Sequence, residues 1–340
     1  MVSISVVMPV YNVEISMLEE AVNSILSQTF QDFEFIIIDD ASNDDTYNYL
    51  NGIKDERIIL IRNSEHLGIT KSLNIGLKEA KGKYIARMDG DDISLPQRFE
   101  KQYEYMESHP DVIVCGTGVE IFGERSKKYC RKISDPESYR VLLLFTNPGP
   151  MHPTAFFNRE LLLRYHITYD ERLECAQDYG LWTVISRYGN VFNLNDILLR
   201  YRTHNRQISS AHVEKQIACD KLILEGLLKE LLGSVTKEEI ELHYTYAYGR
   251  VKGVTVNAEM YSWFRRLIDT NNRVGVYNKE KFKSYVYNSV LKPIIYRSFR
   301  PDMAYISKIG MFFRYLPPHI ALRSSVGMTA SDIMCRLHGK

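Results

Sequence analysis

The first ninety residues alternate short apolar runs with helix-patterned stretches, and several of the runs end on polar or acidic residues. Residues 4–10 are rich in β-branched side chains and exit through Pro9-Val10-Tyr11-Asn12. Residues 33–38 run into Asp39-Asp40, and residues 58–61 form a third run. Residues 84–88 run into Asp89-Gly90-Asp91-Asp92. Between the first two, residues 17–28 carry one apolar stripe, with Ser16 placed to cap it and Glu19 and Glu20 in its first turn. Ser42-Asn43-Asp44-Asp45 opens a second helix, and residues 69–80 form a third. Strands alternating with helices of this length predict right-handed βαβ units and a mostly parallel sheet. Ligands bind such sheets outside the carboxyl ends of the strands.

Three carboxylates in four residues, Asp89 to Asp92, repel one another and invite a cation between them. So few hard oxygen ligands suit Mg²⁺ or Mn²⁺ that also holds a substrate diphosphate. The plainer alternative is an exposed turn, since Asp and Gly are ordinary turn residues. A carboxylate at Asp40 accepts hydrogen bonds from a nucleobase or ribose, or else forms an Asx-turn or helix cap before Ser42; the pattern alone leaves both open.

Beyond residue 96 the order loosens. Helices are expected over residues 97–108, 136–145 and around Leu161, with an amphipathic helix over 178–188. Strands are expected within 112–122, 154–157 and 191–201. From about residue 211 the pattern is helical. A boundary near residues 205–211 divides the chain into an α/β domain, 1–208, and a mainly helical extension, 209–340, in line with a length of 340 residues.

The net charge of +1 hides an asymmetry. Residues 281–340 hold ten Lys or Arg against Asp302 and Asp332, a balance of +8; the rest hold 33 basic and 40 acidic side chains, a balance of −7. Aromatic and aliphatic residues interleave with the cations, as at Leu291–Arg300 and Met311–Leu316. Such a tail either lies on an anionic membrane surface or packs as a helical domain on the catalytic domain or a second subunit, giving a homo-oligomer. No nucleic-acid-binding motif accompanies the charge. Five scattered cysteines give neither a zinc spacing nor a disulfide framework, so a cytoplasmic, reducing setting is expected. No secretory leader and no spanning segment are expected.

There is no G-x-x-x-x-G-K-[ST] loop, and Gly116-Thr117-Gly118 lacks the third glycine of a dinucleotide fingerprint. Several linked blocks instead resemble, in order, those of family-two glycosyltransferases: Val7–Asn12, Ser24–Phe30, Phe33–Ser42 and Gly82–Asp92. The resemblance covers about residues 1–205. It implies the GT-A fold, a Rossmann-like, mostly parallel sheet with flanking helices. It also implies an inverting, metal-dependent transfer of a sugar from a nucleotide-diphosphate donor, expected to be a UDP-sugar. The acceptor is a hydroxyl of a saccharide or lipid-linked saccharide. By the same resemblance, Asp40 reads the nucleobase beside a wall of Pro9, Val10, Tyr11 and Asn12. Asp91 is the direct ligand of Mn²⁺ or Mg²⁺, and Asp89 holds the ribose or donor sugar.

Cys175-Ala176-Gln177-Asp178 resembles the block that carries the family's catalytic base, which places the base at Asp178. Gln177 stands where Glu is commoner. Without the resemblance, Asp178 reads as a helix N-cap. Arg200–His204, with Gln207, Ile208 and Ser209, resembles the segment that closes the domain. Arg202 there binds the diphosphate and His204 completes the metal shell, or else the stretch is a basic linker. Met151-His152-Pro153-Thr154 resembles the floor of the sugar and acceptor site, with His152 a hydrogen-bonding residue rather than a ligand. Lys71 and Asn74 lie near the donor, or Lys71 sits on a solvated helix face. Competing readings are a nucleotidyltransferase, which lacks a phosphate-holding loop after the first strand here, and a non-catalytic sugar-nucleotide-binding scaffold.

Overall fold

The computed structural model describes residues 2–124, 126–133, 135–204, 213–247, 256–298 and 305–321. The chain divides into two compact units. One comprises residues 1–139 and 147–223, the other residues 140–146 and 224–340. The expected boundary at 205–211 lies outside the described residues, as do Gln207, Ile208 and Ser209.

The first unit is built on a nine-stranded sheet. Strands β1 (Ile4–Val10), β2 (Phe33–Asp39), β3 (Ile58–Arg62) and β4 (Tyr84–Arg87) are parallel, in the order β3-β2-β1-β4. All seven residues of β1 are buried, because helices cover both faces of a parallel sheet and a strand there has no wet side. Between the strands run α1 (Ile15–Leu26), α2 (Thr46–Gly52) and α3 (Ile69–Glu79). Helix α1 buries Leu18, Ala21, Val22 and Ile25 in the core that also holds Phe35 and Phe99. Ser16 does not cap it: Glu14 is the N-cap residue without a side-chain bond, and Ser16 Oγ turns to Glu14 Oε1, 2.7 Å away.

The sheet continues with β5 (Ile93–Ser94), α4 (Arg98–Ser108), β6 (Val112–Gly123), β7 (Lys127–Tyr129) and α5 (Pro136–Leu143). A 3₁₀ turn (His152–Thr154), β8 (Phe156–Asn158), α6 (Arg159–Arg164), α7 (Gln177–Ile185) and β9 (Asn190–Thr203) follow. Strand β8 is antiparallel to β4 and β6, and β9 runs parallel to β6. Helix α7 is not amphipathic. Tyr179 to Thr183 and Ile185 are all buried, and Trp182 is fully enclosed.

Strand order reverses at β1, whose successors lie on opposite sides of it. Its pairing with β2 continues to Val10, whereas its pairing with β4 ends at Val7–Arg87. Past that point β1 and β4 no longer pair, and the residues after them flank a crevice at the topological switch.

The second unit contains helices α8 (Val213–Leu232, in its last turns), α9 (Lys237–Ala247), α10 (Ala258–Val274) and α11 (Lys279–Tyr285). A π-helical stretch (Val286–Leu291), α12 (Lys292–Arg297) and α13 (Tyr305–Tyr315) complete it. Asn257 and Asn278 cap α10 and α11 through their side chains, and Gly275 ends α10 at φ 72°. Its core includes Met260, Phe264, Leu267, Phe282 and Leu291. His243 is fully buried there. Its Nε2 donates to the Leu144 carbonyl (2.7 Å), and its Nδ1 accepts from Trp263 Nε1 (3.2 Å). These partners fix one neutral tautomer, and burial pushes the imidazole down to about 4. No helix among the described residues is long and apolar enough to cross a membrane.

Candidate active site

The acidic turn after β4 is held from three directions. Arg87, buried at the end of β4, grips both oxygens of Asp89. The Arg202 N–H donates to Asp92 Oδ1 (2.8 Å), and its Nε donates to the Asp91 carbonyl (2.7 Å). Its guanidinium also pairs with Glu20. Arg202 therefore braces the turn from the end of β9. His204 Nε2 lies 2.9 Å from Asp91 Oδ2. Beneath them, fully buried Arg98 on α4 donates to the Arg87 carbonyl (2.7 Å). Burial and the neighbouring Arg87 bring its guanidinium down to about 9. Gln102, one turn on, ties α4 to the Cys115 and Thr154 carbonyls.

Asp89, Asp91 and Asp92 each bring a ligand atom within 4.8 Å of the others. Burial, then Asp89 and Asp91, push the Asp92 carboxyl well above the usual carboxylate range. Its Oδ2 is buried without a hydrogen-bond partner among the described residues. Asp89 is pushed up by burial, against the pull of Arg87, with Asp91 and Asp178 adding their charge. Three oxygen-donor groups that destabilise one another fit a hard divalent cation.

Asp178 lies near enough to the turn for its charge to act on Asp89, and also on buried Tyr169. It is not an N-cap. Ala176, at φ 58°, is the N-cap residue, and Asp178 stands in the first turn of α7, where the helix dipole favours a negative charge. Its Oδ2 accepts from Asn147 Nδ2 (3.0 Å). Asn147 is itself fixed: its Oδ1 accepts from the Gly149 N–H (3.2 Å), and Arg131 donates to the carbonyls of Asn147 and Gly149. Gln177 opens the helix, half-buried.

His152 is buried and lies 2.8 Å from the Tyr169 hydroxyl through Nε2. Burial and then Arg87 hold its imidazole well below the usual histidine range, so it is neutral. Tyr169 and Asn74 are joined by two hydrogen bonds, and Thr70 Oγ1 donates to the Leu173 carbonyl (2.6 Å). Helix α3 thus staples the loop that leads to Asp178.

At the ends of β1 and β2, Pro9 and Val10 are buried, whereas Tyr11 and Asn12 are exposed. Asn12, at φ 48°, accepts the Asn43 N–H (3.0 Å) and donates its own N–H to Ser42 Oγ (3.0 Å), which locks the two strand exits together. Asp40 is buried under Asn63, His66, Leu67 and Gly68. Lys71 lies exposed on the first turn of α3. Asn147, Tyr169, Arg87, Arg131 and His66 were not singled out by sequence. Arg87 lies inside the Gly82–Asp92 block but was given no role there, and the others belong to no block that the sequence marks.

The sheet, its switch point and the acidic turn compose a GT-A-like fold with added C-terminal helices. The Glycosyl transferase family 2 profile matches residues 5–165. An uncharacterized glycosyltransferase of Haemophilus influenzae is 30% identical over 329 residues, 92% of this chain and 90% of that one. The chain belongs to glycosyl transferase family 2. The Escherichia coli UDP-Glc:alpha-D-GlcNAc-diphosphoundecaprenol beta-1,3-glucosyltransferase WfaP is 31% identical over 215 residues, 60% of this chain and 78% of that one. The crystal structure of S. aureus TarS 1–349 in complex with UDP-GlcNAc has a TM-score of 0.58 at 17% identity, over 99% of this chain and 92% of that one. At that identity the likeness concerns the fold.

Proposed function

We propose that this chain is a metal-dependent inverting glycosyltransferase that moves a sugar from a UDP-type donor to a saccharide hydroxyl on a lipid-linked acceptor. The observation that supports this reading is the cluster of Asp89, Asp91 and Asp92 with Asp178 close enough for its charge to act on Asp89. Asp178 accepts the proton of the acceptor hydroxyl as that oxygen attacks the anomeric carbon in line with the departing diphosphate. Asn147 holds the carboxylate in place for this. Asp89, steadied by Arg87, faces the donor ribose or sugar. Tyr11, Asn12 and the buried Asp40 shape the base pocket, and Lys71 stands near the donor. His152 and Gln177 border the acceptor side.

Asp91 and Asp92, with His204 beside Asp91, would hold Mn²⁺ or Mg²⁺. When bound, that ion neutralises the charge that builds on the leaving diphosphate. The lipid-linked acceptor is supported by the printed name of the E. coli relative, and a surface-polysaccharide role is proposed on the same footing. Exposed Tyr296 and Phe313, in a segment rich in Lys and Arg, support peripheral contact with the inner membrane face. Equal partitioning of the full chain with anionic and zwitterionic liposomes would end that part.

Asp178→Asn tests the core of the reading. It should lower kcat by about 10²–10⁴ and leave the donor Kd within about twofold. Turnover at the native rate would refute Asp178 as the base.

A further inference from the structure

The second unit carries a cavity of about 480 Å³ lined by residues of α11, the π-helical stretch and the start of α12, with His319 and Ile320. All of the lining belongs to that one unit. Lys283 and Lys292 are half-buried there. Neither has an ion pair or a hydrogen bond among the described residues. Lys83, Lys101, Lys215 and Lys229, by contrast, each meet a carboxylate. Glu280 also lines the cavity, but it is exposed and pairs with neither lysine. A cation drawn out of water without a counter-charge is costly, and two around one cavity repel each other. An anion between them relieves both costs.

Hydrogen-bond donors accompany the charge. Asn288 Nδ2 donates to the Ser284 carbonyl (3.0 Å) and to Ser284 Oγ (3.2 Å). The Ser284 hydroxyl therefore accepts from within its own helix and keeps its hydrogen for a group in the cavity. His319 offers a ring N–H in either tautomer. The tetrahedral oxygens of a phosphate can use several such donors at once, whereas a planar carboxylate or a halide uses fewer. The cavity is also far roomier than a bare phosphate ion and falls within the range of small-molecule sites. The π-helical stretch contributes Tyr287 and Asn288 to the lining, and such turns are uncommon and recur at functional sites.

We propose that this cavity binds the phosphate of a phosphate ester, with Lys283 and Lys292 supplying the charge and Ser284 and His319 further hydrogen bonds. Its residues fall outside residues 5–165, and the site stands apart from the donor chemistry of the acidic turn. Tyr296 follows Lys292 by four residues on α12, which puts both on one face of that helix, and it is exposed. An exposed aromatic ring next to a phosphate site suits the headgroup level of a membrane. That favours a phospholipid over a soluble ester as the source of the phosphate.

The test uses the full chain and three phosphate probes. Inorganic phosphate and glycerol phosphate are titrated by calorimetry against chloride at equal ionic strength. Phosphatidylcholine vesicles with and without phosphatidylglycerol are followed by co-sedimentation. Combining Lys283→Ala with Lys292→Ala should weaken binding about tenfold or more, since hydrogen bonds to charged groups are worth at least that. Combining Lys237→Ala with Lys279→Ala removes the same charge from exposed positions outside the lining. That pair should leave Kd within about twofold, because salt screens exposed charges. Equal weakening by both pairs reduces the attraction to diffuse charge and overturns the site. Native-like binding by the cavity pair overturns it too, as does failure of all three probes to bind the native chain. Retention on phosphatidylglycerol vesicles, reversed by glycerol phosphate, upholds the site with a lipid source. Binding of glycerol phosphate without vesicle retention upholds it with a soluble one. If the cavity pair does not fold, amine acylation of the native chain decides. Phosphate should shield Lys283 and Lys292 and leave Lys237 and Lys279 reacting at an unchanged rate; no shielding sinks the proposal.

Discussion

Asn74 and Tyr169, 95 residues apart, exchange two hydrogen bonds: Asn74 Nδ2 donates to the Tyr169 carbonyl at 3.0 Å, and the Tyr169 N–H donates back to Asn74 Oδ1 at 3.0 Å. The pair fastens the loop before Asp178 to the helix that starts beside Asp40. Asn74→Ala leaves two main-chain groups of Tyr169 without these partners. It should cost about 1–3 kcal/mol of stability, read by urea denaturation. It should lower kcat and leave the donor Kd within about twofold.

Asn147 supplies a hydrogen bond to the ionised form of Asp178. Asn147→Leu removes it and leaves the Asp178 carboxylate free to turn away from its working orientation. kcat should fall by about tenfold, with the donor Kd within about twofold, as read by steady-state kinetics and calorimetry. A donor Kd that weakens in step with kcat would instead mark Asn147 as structural.

Asp91 faces His204 and shares the acidic turn with Asp89 and Asp92. With Asp91→Ala, donor affinity should no longer rise on adding Mn²⁺, whereas affinity in chelator should match the native chain. Unchanged Mn²⁺ dependence, followed by calorimetry, would exclude Asp91 as a ligand.

His243 makes stability fall with acid. Its folded value of about 4 lies below the ordinary 6.5, so the unfolded chain binds the proton first as pH drops. Stability is whole above about pH 6.5 and declines as pH falls toward 4, by at most about 3 kcal/mol. A proton on Nδ1 would also face the Trp263 indole N–H donor. His243→Phe should flatten this part of the stability–pH curve, measured by denaturant midpoints between pH 4 and 7.

The parallel half of the sheet was legible because its strands are apolar runs closed by polar exits, as at Ile4–Val10 and Phe33–Asp39. The acidic turn was legible for the same reason. The expectation for α7 failed because Tyr179 to Ile185 face neighbours nearly all round, so no solvent side imprints a period. The Ser16 cap failed because the helix begins one residue earlier, at Ile15, which puts Ser16 inside its first turn. Nothing in the sequence marks Asn147 or Tyr169, since their partners lie 31 and 95 residues away and only the folded chain brings them together. Asp40 was found as a residue, but its contact with Asn63, His66, Leu67 and Gly68 is a property of the β3–α3 connection that no local pattern encodes.

Arg202 reaches back 110 and 111 residues to fasten Asp92 and Asp91. A chain still emerging from the ribosome therefore owns the acidic loop long before it owns the bracket that shapes it. Closing so long a span is slow in entropic terms. The acidic loop should therefore take its folded shape among the final events of maturation, once β9 has docked beside it.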